Sequence, residues 1–299
     1  MATFGQMTDE VARKLAGFTL RQDRQTHLTQ AVSTSDTTIY LGSANNISTG
    51  IIQIDDELIY IDSYDRNANT VNVPPYGRGY NGTQVSTHQN GSRVVISPTF
   101  PNIDIKNAIN DTIRATGDML YASGTTTFAF SPAVSTYALP NNVERVLSVS
   151  YQTTGPTKEW LPIRGWRHDA MANVTTWGTR NTITLYSGVE PGRTVQVWYK
   201  CPPNTLENPT DDFEIVTGLP DSTKDVMILG ASYRLASYVD PGRLTFGSAE
   251  ADQQGQVAGR AYGAGTNAAK YLLALYQQRL NEEVAKINDR NPIRIHFTR

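Results

Sequence analysis

The apolar residues of this chain recur at two different periods in successive blocks, and that switching restricts the fold to pleated and helical segments that alternate along the sequence. From Thr37 to Ser97 the period is two. Thr37-Leu41, Ile51-Ile54, Glu57-Asp62, Thr70-Val73 and Arg93-Ile96 are short β-branched or aromatic runs parted by Gly, Asn and Asp, which predicts a small β domain. Asp55-Asp56 reads as a tight hairpin and Asp65-Arg66-Asn67 as another turn. From Pro101 to Ala122 the period lengthens, with Ile105, Ile109, Ile113 and Leu120 at helical spacing and Asn102 and Asp104 at the positive end. Strand patterning then returns between Thr125 and Ile215, clearest at Thr127-Phe130, Val143-Gln152, Trp160-Ile163, Thr182-Tyr186 and Arg193-Lys200.

Two further helices are expected near the C-terminus. Leu219-Pro220-Asp221-Ser222 opens one, with Val226, Leu229, Tyr233, Ala236 and Val239 as its stripe and Asp240-Pro241-Gly242 as its stop. The other is predicted from about Ser248 to Ile287, weakened in its first half by Gly255, Gly259, Gly263 and Gly265. A short helix capped by Thr8 is expected at the N-terminus, with Val11 and Leu15 on one face. After Asn291-Pro292, Ile293-Arg294-Ile295-His296-Phe297 alternates like a strand with no obvious partner nearby. The fold class predicted is therefore α+β: a helical core of long helices with a β-rich insertion, preceded by a small β domain and followed by an extended C-terminal arm. The expected boundaries are 1–29 for a helical segment, 30–100 for the small β domain, 101–124 plus 216–288 for the helical core, 125–215 for the insertion and 289–299 for the arm.

Only 18% of the residues are charged, and the net charge is −2. That balance gives no basic excess of the kind a dedicated nucleic-acid-binding domain carries. The single cysteine, Cys201, has no internal disulfide partner, and no Cys/His cluster has zinc-site spacing. Met1 to Glu10 carries acids without an apolar run, so it does not read as a signal peptide, and no stretch approaches the ~20 apolar residues of a membrane span. Synthesis in a cytosol is expected.

Several patterns suggest chemistry and fail on context. Gly77-Arg78-Gly79-Tyr80-Asn81-Gly82 has dinucleotide-fingerprint spacing, yet Pro74-Pro75 separate it from its strand and turn residues follow it. A glycine-rich turn with Asn81-Gly82 at positive φ is the better reading. His27, His88, His168 and His296 accompany many serines, but no nucleophile elbow occurs. His88 reads as hydrogen-bonded to its own turn, and Cys201 as an unreactive thiol at a strand end. The acids Asp55/Asp56/Glu57 and Asp211/Asp212/Glu214 resemble metal-ligand or glycosidase pairs and read as solvated turn residues. Trp160, Trp166, Trp177 and Trp198 are expected in cores, with Trp166-Arg167-His168 the exposed exception. No catalytic residue, cofactor or metal is predicted.

Gly77-Arg78-Gly79-Tyr80-Asn81-Gly82-Thr83, followed by His88, Asn90-Gly91 and Val94-Val95, resembles a turn-and-strand motif of phage neck and tail proteins. The order from Pro101 onward (helix, β-rich insertion, helix opened by Leu219-Pro220-Asp221, long final helix) is similar to the head-to-tail adaptor proteins of tailed bacteriophages. The resemblance implies a non-enzymatic virion protein of the phage neck, forming a homo-oligomeric ring of about twelve copies beneath the portal. Its implied partners are itself, the portal, a tail or nozzle protein, and viral DNA passing nearby. The arm is implied to reach the portal through Arg290, Ile293, Arg294, Ile295, His296, Phe297 and Arg299. A receptor- or carbohydrate-binding tail protein is the alternative that the two β domains and the tryptophans keep open, and a cell-wall hydrolase is a third.

Overall fold

The computed structural model describes residues 2–17, 23–117, 119–154, 157–186, 189–238 and 264–290. The chain divides into two compact units, one of Thr3–Thr112 with Lys224–Asn281, the other of Met1–Ala2, Ile113–Thr223 and Glu282–Arg299. The described helices are α1 (Phe4–Ala16), α2 (Asn102–Thr116), α3 (Val174–Trp177), α4 (Phe213–Thr217), α5 (Lys224–Tyr238) and α6 (Ala264–Arg290).

Within the first unit, short strands carry the β domain: β1 (Arg24–His27), β2 (Thr38–Tyr40), β3 (Gly50–Ile54), β4 (Glu57–Ile61), β5 (Ser63–Asp65), β6 (Thr70–Asn72) and β7 (Arg93–Ile96). They form two antiparallel sheets, ordered β1-β7-β3-β4 and β2-β6-β5. Between them lies a core in which Leu28, Ile39, Ile52, Ile54, Ile59, Ile61, Val71 and Val94 are fully buried. Asp55-Asp56 closes the β3–β4 hairpin, with Asp55 in the left-handed region at φ 51°, as an Asp tolerates.

Helix α1 begins earlier than its sequence suggests. Thr3 rather than Thr8 is the cap: Gln6 donates its N–H to Thr3 Oγ1 at 3.3 Å, and Thr3 N–H donates to Gln6 Oε1 at 3.1 Å. The apolar stripe reaches back through Met7 to Phe4 and leaves Thr8 buried, its hydroxyl donating to the Phe4 carbonyl.

The second unit holds β8 (Ala122–Ala129), β9 (Thr136–Ala138), β10 (Arg145–Gln152), β11 (Trp160–Pro162), β12 (Trp166–Asp169), β13 (Thr182–Leu185) and β14 (Thr194–Cys201). Their sheets run β11-β10-β14-β8 and β12-β13-β9, antiparallel throughout. Val146, Val149, Ile183, Leu185, Val195 and Val197 share one core, and Phe128, Tyr151 and Trp166 pack against it.

These observations correct the expected fold class. The described structure is β-rich, with four sheets, and not a core of long helices. The helix predicted over Pro101–Ala122 stops at Thr116, and Ala122 opens β8 instead. The helix predicted from Leu219 begins as a 3₁₀ turn at Asp221–Thr223, and its α part runs only from Lys224 to Tyr238. Of the last helix, residues 264–290 are described, while 248–263 lie outside the described residues. The physical reason is pairing: runs of three to eight residues that say little alone assemble into ladders once a second strand satisfies their N–H and C=O groups.

Candidate functional site

The most organised polar site lies in the small β domain, around Glu57 at the start of β4. Its side chain is fully buried, in a strand that is otherwise Leu, Ile and Tyr, so its carboxylate must be met by donors or it would not stay charged. Five arrive. Arg78 donates Nε–H to Oε1 at 2.8 Å and Nη2–H to Oε2 at 3.0 Å. The backbone N–H groups of Gly79 and Ser86 add 3.0 Å and 3.1 Å bonds. His88 Nε2 approaches Oε2 at 2.9 Å, and its Nδ1 meets Asp55 Oδ2 at 2.8 Å. Because both ring nitrogens face carboxylates, His88 donates twice as an imidazolium.

The electrostatics follow from this geometry. Burial alone would raise Glu57, but hydrogen bonds from His88, Arg78, Ser86 and Gly79 outweigh it and hold the carboxyl at about 2. Burial alone would lower His88, and its bonds to Asp55 and Glu57 reverse that, lifting it to about 8. Arg78 has three further acceptors, the carbonyls of Ser33 at 2.6 Å, Ser86 at 2.8 Å and Asp36 at 3.4 Å. One carboxylate thus ties together β4, the glycine loop and the segment before β2.

The glycine loop is shaped to reach that carboxylate. Gly77 accepts from Tyr60 N–H at 2.7 Å, and a Cβ there would lie 2.5 Å from the Tyr60 carbonyl. Gly79, Asn81 and Gly82 all have positive φ, at 62°, 56° and 78°, which agrees with the turn expected at Asn81-Gly82. Thr83 closes it, its hydroxyl donating to the Tyr80 carbonyl and accepting from Leu58 N–H. The loop displays aromatic rings: Tyr60 stacks on Tyr76 at 6.2 Å and on Tyr80 at 5.7 Å between centroids, and Tyr76 is exposed.

Two readings of this region need correction. His88 does not bond its own turn; it bridges acids from the β3–β4 hairpin. Glu57 is not a solvated turn acid. Asp56, its neighbour, does sit at the surface, paired with Lys106 at 2.5 Å. A signal was present in the sequence: a lone Glu inside an apolar strand and an Arg inside a glycine-rich turn are complementary, and each needs a partner if buried. Which His or Arg would answer was beyond the sequence, since the partners lie 21 and 31 residues away.

In the second acidic run, Asp211 and Asp212 are committed to backbone. Asp212 caps α4 through the N–H groups of Glu214 and Ile215, and Asp211 accepts from Glu207 and Asn208 N–H, which lowers its pKa. Cys201 ends β14, buried, with its thiol pushed up by burial. Among the described residues no cluster of three or more His, Cys, Asp or Glu is placed to hold a metal ion. No helix among them is long and apolar enough to cross a membrane.

The tryptophans reverse their expectation. Trp166 packs against the core, whereas Trp160, Trp177 and Trp198 are exposed at 41%, 37% and 43%. Trp198 points to the open face of its sheet, opposite Ser148 and Thr125, because the other face of β14 is already filled by Val195, Val197 and Tyr199. Of the residues assigned to a portal contact, Arg290 ends α6. Ile293, Arg294, Ile295, His296, Phe297 and Arg299 lie outside the described residues.

A family model described as SU10 adaptor protein matches residues 83–295, most of the chain. The protein belongs to the SU10 adaptor protein family. It is therefore a phage structural protein of the adaptor type. No curated protein matches the chain. The family match begins at Thr83, inside the glycine loop, so the SU10 adaptor span takes in His88 and β7 but leaves Glu57, Arg78 and most strands of the small β domain outside it.

Proposed function

We propose that this adaptor is a structural subunit of the head-to-tail connector of a tailed bacteriophage: a ring of about twelve copies that joins the portal to the tail and forms part of the DNA channel. The observation that carries the reading is the adaptor family match over residues 83–295. A net charge of −2 suits a channel wall past which DNA must slide without sticking, since bound phosphates would need a basic surface.

In this reading residues 289–299 are the arm that meets the portal, through Arg290, Ile293, Arg294, Ile295, His296, Phe297 and Arg299. Residues 125–215 are the β-rich insertion, and residues 30–100 are an added module that decorates the outside or contacts tail components. Deleting residues 290–299 is expected to leave a folded protein that no longer co-sediments with portal rings; a truncated chain that still joins them overturns the assignment of the arm. Particle images resolving the neck give the copy number directly.

The second reading, a tail-associated receptor- or carbohydrate-binding protein, draws on two exposed tryptophans, Trp198 opposite Ser148 and Thr125 and Trp160 opposite Gln152. A trimer in native mass measurement that binds host glycans would favour it over the connector.

A further inference from the structure

The two edges of the sheet β11-β10-β14-β8 differ in whether they can accept another strand. At the β11 edge, Thr153 N–H bonds the Glu159 carbonyl at 2.9 Å and Ile163 N–H bonds the Val149 carbonyl at 2.8 Å. Alternation then turns Trp160 and Pro162 outward. Proline has no N–H, so this short edge offers a single outward donor and is blunted in the way natural edges commonly are.

At the other edge, β8 pairs with β14 over eight consecutive residues, Ala122 to Ala129, without a register shift. Phe130 N–H donates to the Arg193 carbonyl and its own carbonyl accepts from Gly192 N–H, both at 2.8 Å. The same alternation points the N–H and C=O groups of Ser123, Thr125, Thr127 and Ala129 away from β14. All four residues are exposed. Their strand, Ala-Ser-Gly-Thr-Thr-Thr-Phe-Ala, has no charge, no proline and no bulge. Among the described residues, β8 thus lacks the charge, proline and bulge that protect a free edge, while the opposite edge carries a proline.

A sheet guarded on one side only leaves its other side open to a further strand, and the chain carries a segment of matching form. Nine residues follow Arg290, and Ile293-Arg294-Ile295-His296-Phe297 alternates with period two over a length comparable to the eight residues of β8. The segment contains no acid or glycine, and β8 presents no charge to oppose its arginines.

We infer that the outer edge of β8 is a strand-addition site that receives the C-terminal segment, residues 291–299, of a second copy of this chain. The inference rests on the ring reading above and names one contact that holds neighbouring copies together. A strand has two edges, so a segment seated on β8 keeps the other for the portal contact.

Proline at Thr125 and Thr127 tests the edge selectively. Both N–H groups point away from β14, so the double variant Thr125→Pro/Thr127→Pro removes two outward donors while sparing the ladder to β14. Oligomer size of the purified full chain is measured against concentration by analytical ultracentrifugation, alongside Thr125→Ala/Thr127→Ala, which keeps the donors. The alanine control is expected to associate like the parent, and the proline variant to associate about tenfold more weakly or worse. Deletion of residues 291–299 is expected to match the proline variant. If proline unfolds the chain, Thr125→Lys/Thr127→Lys replaces it, since paired lysines guard edges without touching the backbone. Undiminished assembly by the folded edge variants overturns the site, and undiminished assembly by the deletion overturns the donor. A parent chain that stays monomeric at every concentration, in place of selective loss in the variants, sinks the ring reading itself.

Discussion

The small β domain and the β8–β14 region are both made of short antiparallel strands over an aliphatic core, yet they handle charge in opposite ways. In the first, Glu57 and His88 are buried at the centre of a clamp that Arg78 completes. In the second, among the described residues 122–201, no charged side chain is buried, and the buried polar groups are Thr179, Asn181 and Thr182. A buried ion network is a poor source of net stability compared with packed hydrocarbon, but removing one member is costly because the rest are left unpaired. It also fixes a geometry. The clamp sets one conformation for the glycine loop and so for Tyr76 and Tyr80, whereas the second region gets its shape from strand register and an aliphatic and aromatic core.

The largest expected effect breaks the clamp. Glu57→Ala strands Arg78 and His88 in a buried site and is expected to cost roughly 3–5 kcal/mol, read as a loss in urea midpoint with the glycine loop released in hydrogen exchange; a loss no greater than that of a surface mutation would mean the clamp is idle. Gly77→Ala comes next. Its Cβ would lie 2.5 Å from the Tyr60 carbonyl and 2.7 Å from Val73 Cγ1, so the loop must shift, at about 1–3 kcal/mol.

The pH dependence separates the two regions. His88 is raised from 6.5 to about 8, so its contribution is complete below pH 6.5 and disappears as the pH climbs past 8, a change of order 2 kcal/mol. Glu57, lowered from 4.5 to about 2, contributes above pH 4.5 and stops contributing as the pH drops past 2. Hydrogen exchange across residues 77–88 should therefore quicken between pH 6.5 and 9 after correction for the intrinsic rate, while β10 and β14 stay unchanged; His88→Gln should abolish the difference. Smallest of all, Trp198→Ala is expected to move stability by no more than about 0.5 kcal/mol, because its ring sits on the open face of the sheet. A larger loss in thermal melting would show that the ring packs on something the sheet pattern does not reveal.

Much of the local structure was legible. The β-branched runs at Ile51-Ile54, Glu57-Asp62, Thr70-Val73 and Arg93-Ile96 became β3, β4, β6 and β7 within a residue or two, since alternation and turn residues act over a few positions. Asp55-Asp56 formed the expected hairpin, and Asn81 and Gly82 took the positive φ their turn suggested. The helices were less legible. Leu120 continued the spacing of Ile105, Ile109 and Ile113 and is buried like them, yet α2 had already ended at Thr116. An apolar residue at the right spacing reports that it will be buried, not which element buries it.

The sequence by itself determined where many of the strands and turns form and that this chain resembles the phage adaptor proteins, because those properties depend on neighbours within a few residues or on residue patterns. Tertiary structure alone decided that the chain is β-rich rather than built on long helices, that Glu57 finds Arg78 and His88, that Trp166 rather than Trp198 turns toward the core, and that β8 rather than β11 keeps an open edge. Each of those depends on which strand lies next to which, and strand pairing brings together residues whose separation along the chain carries no local mark.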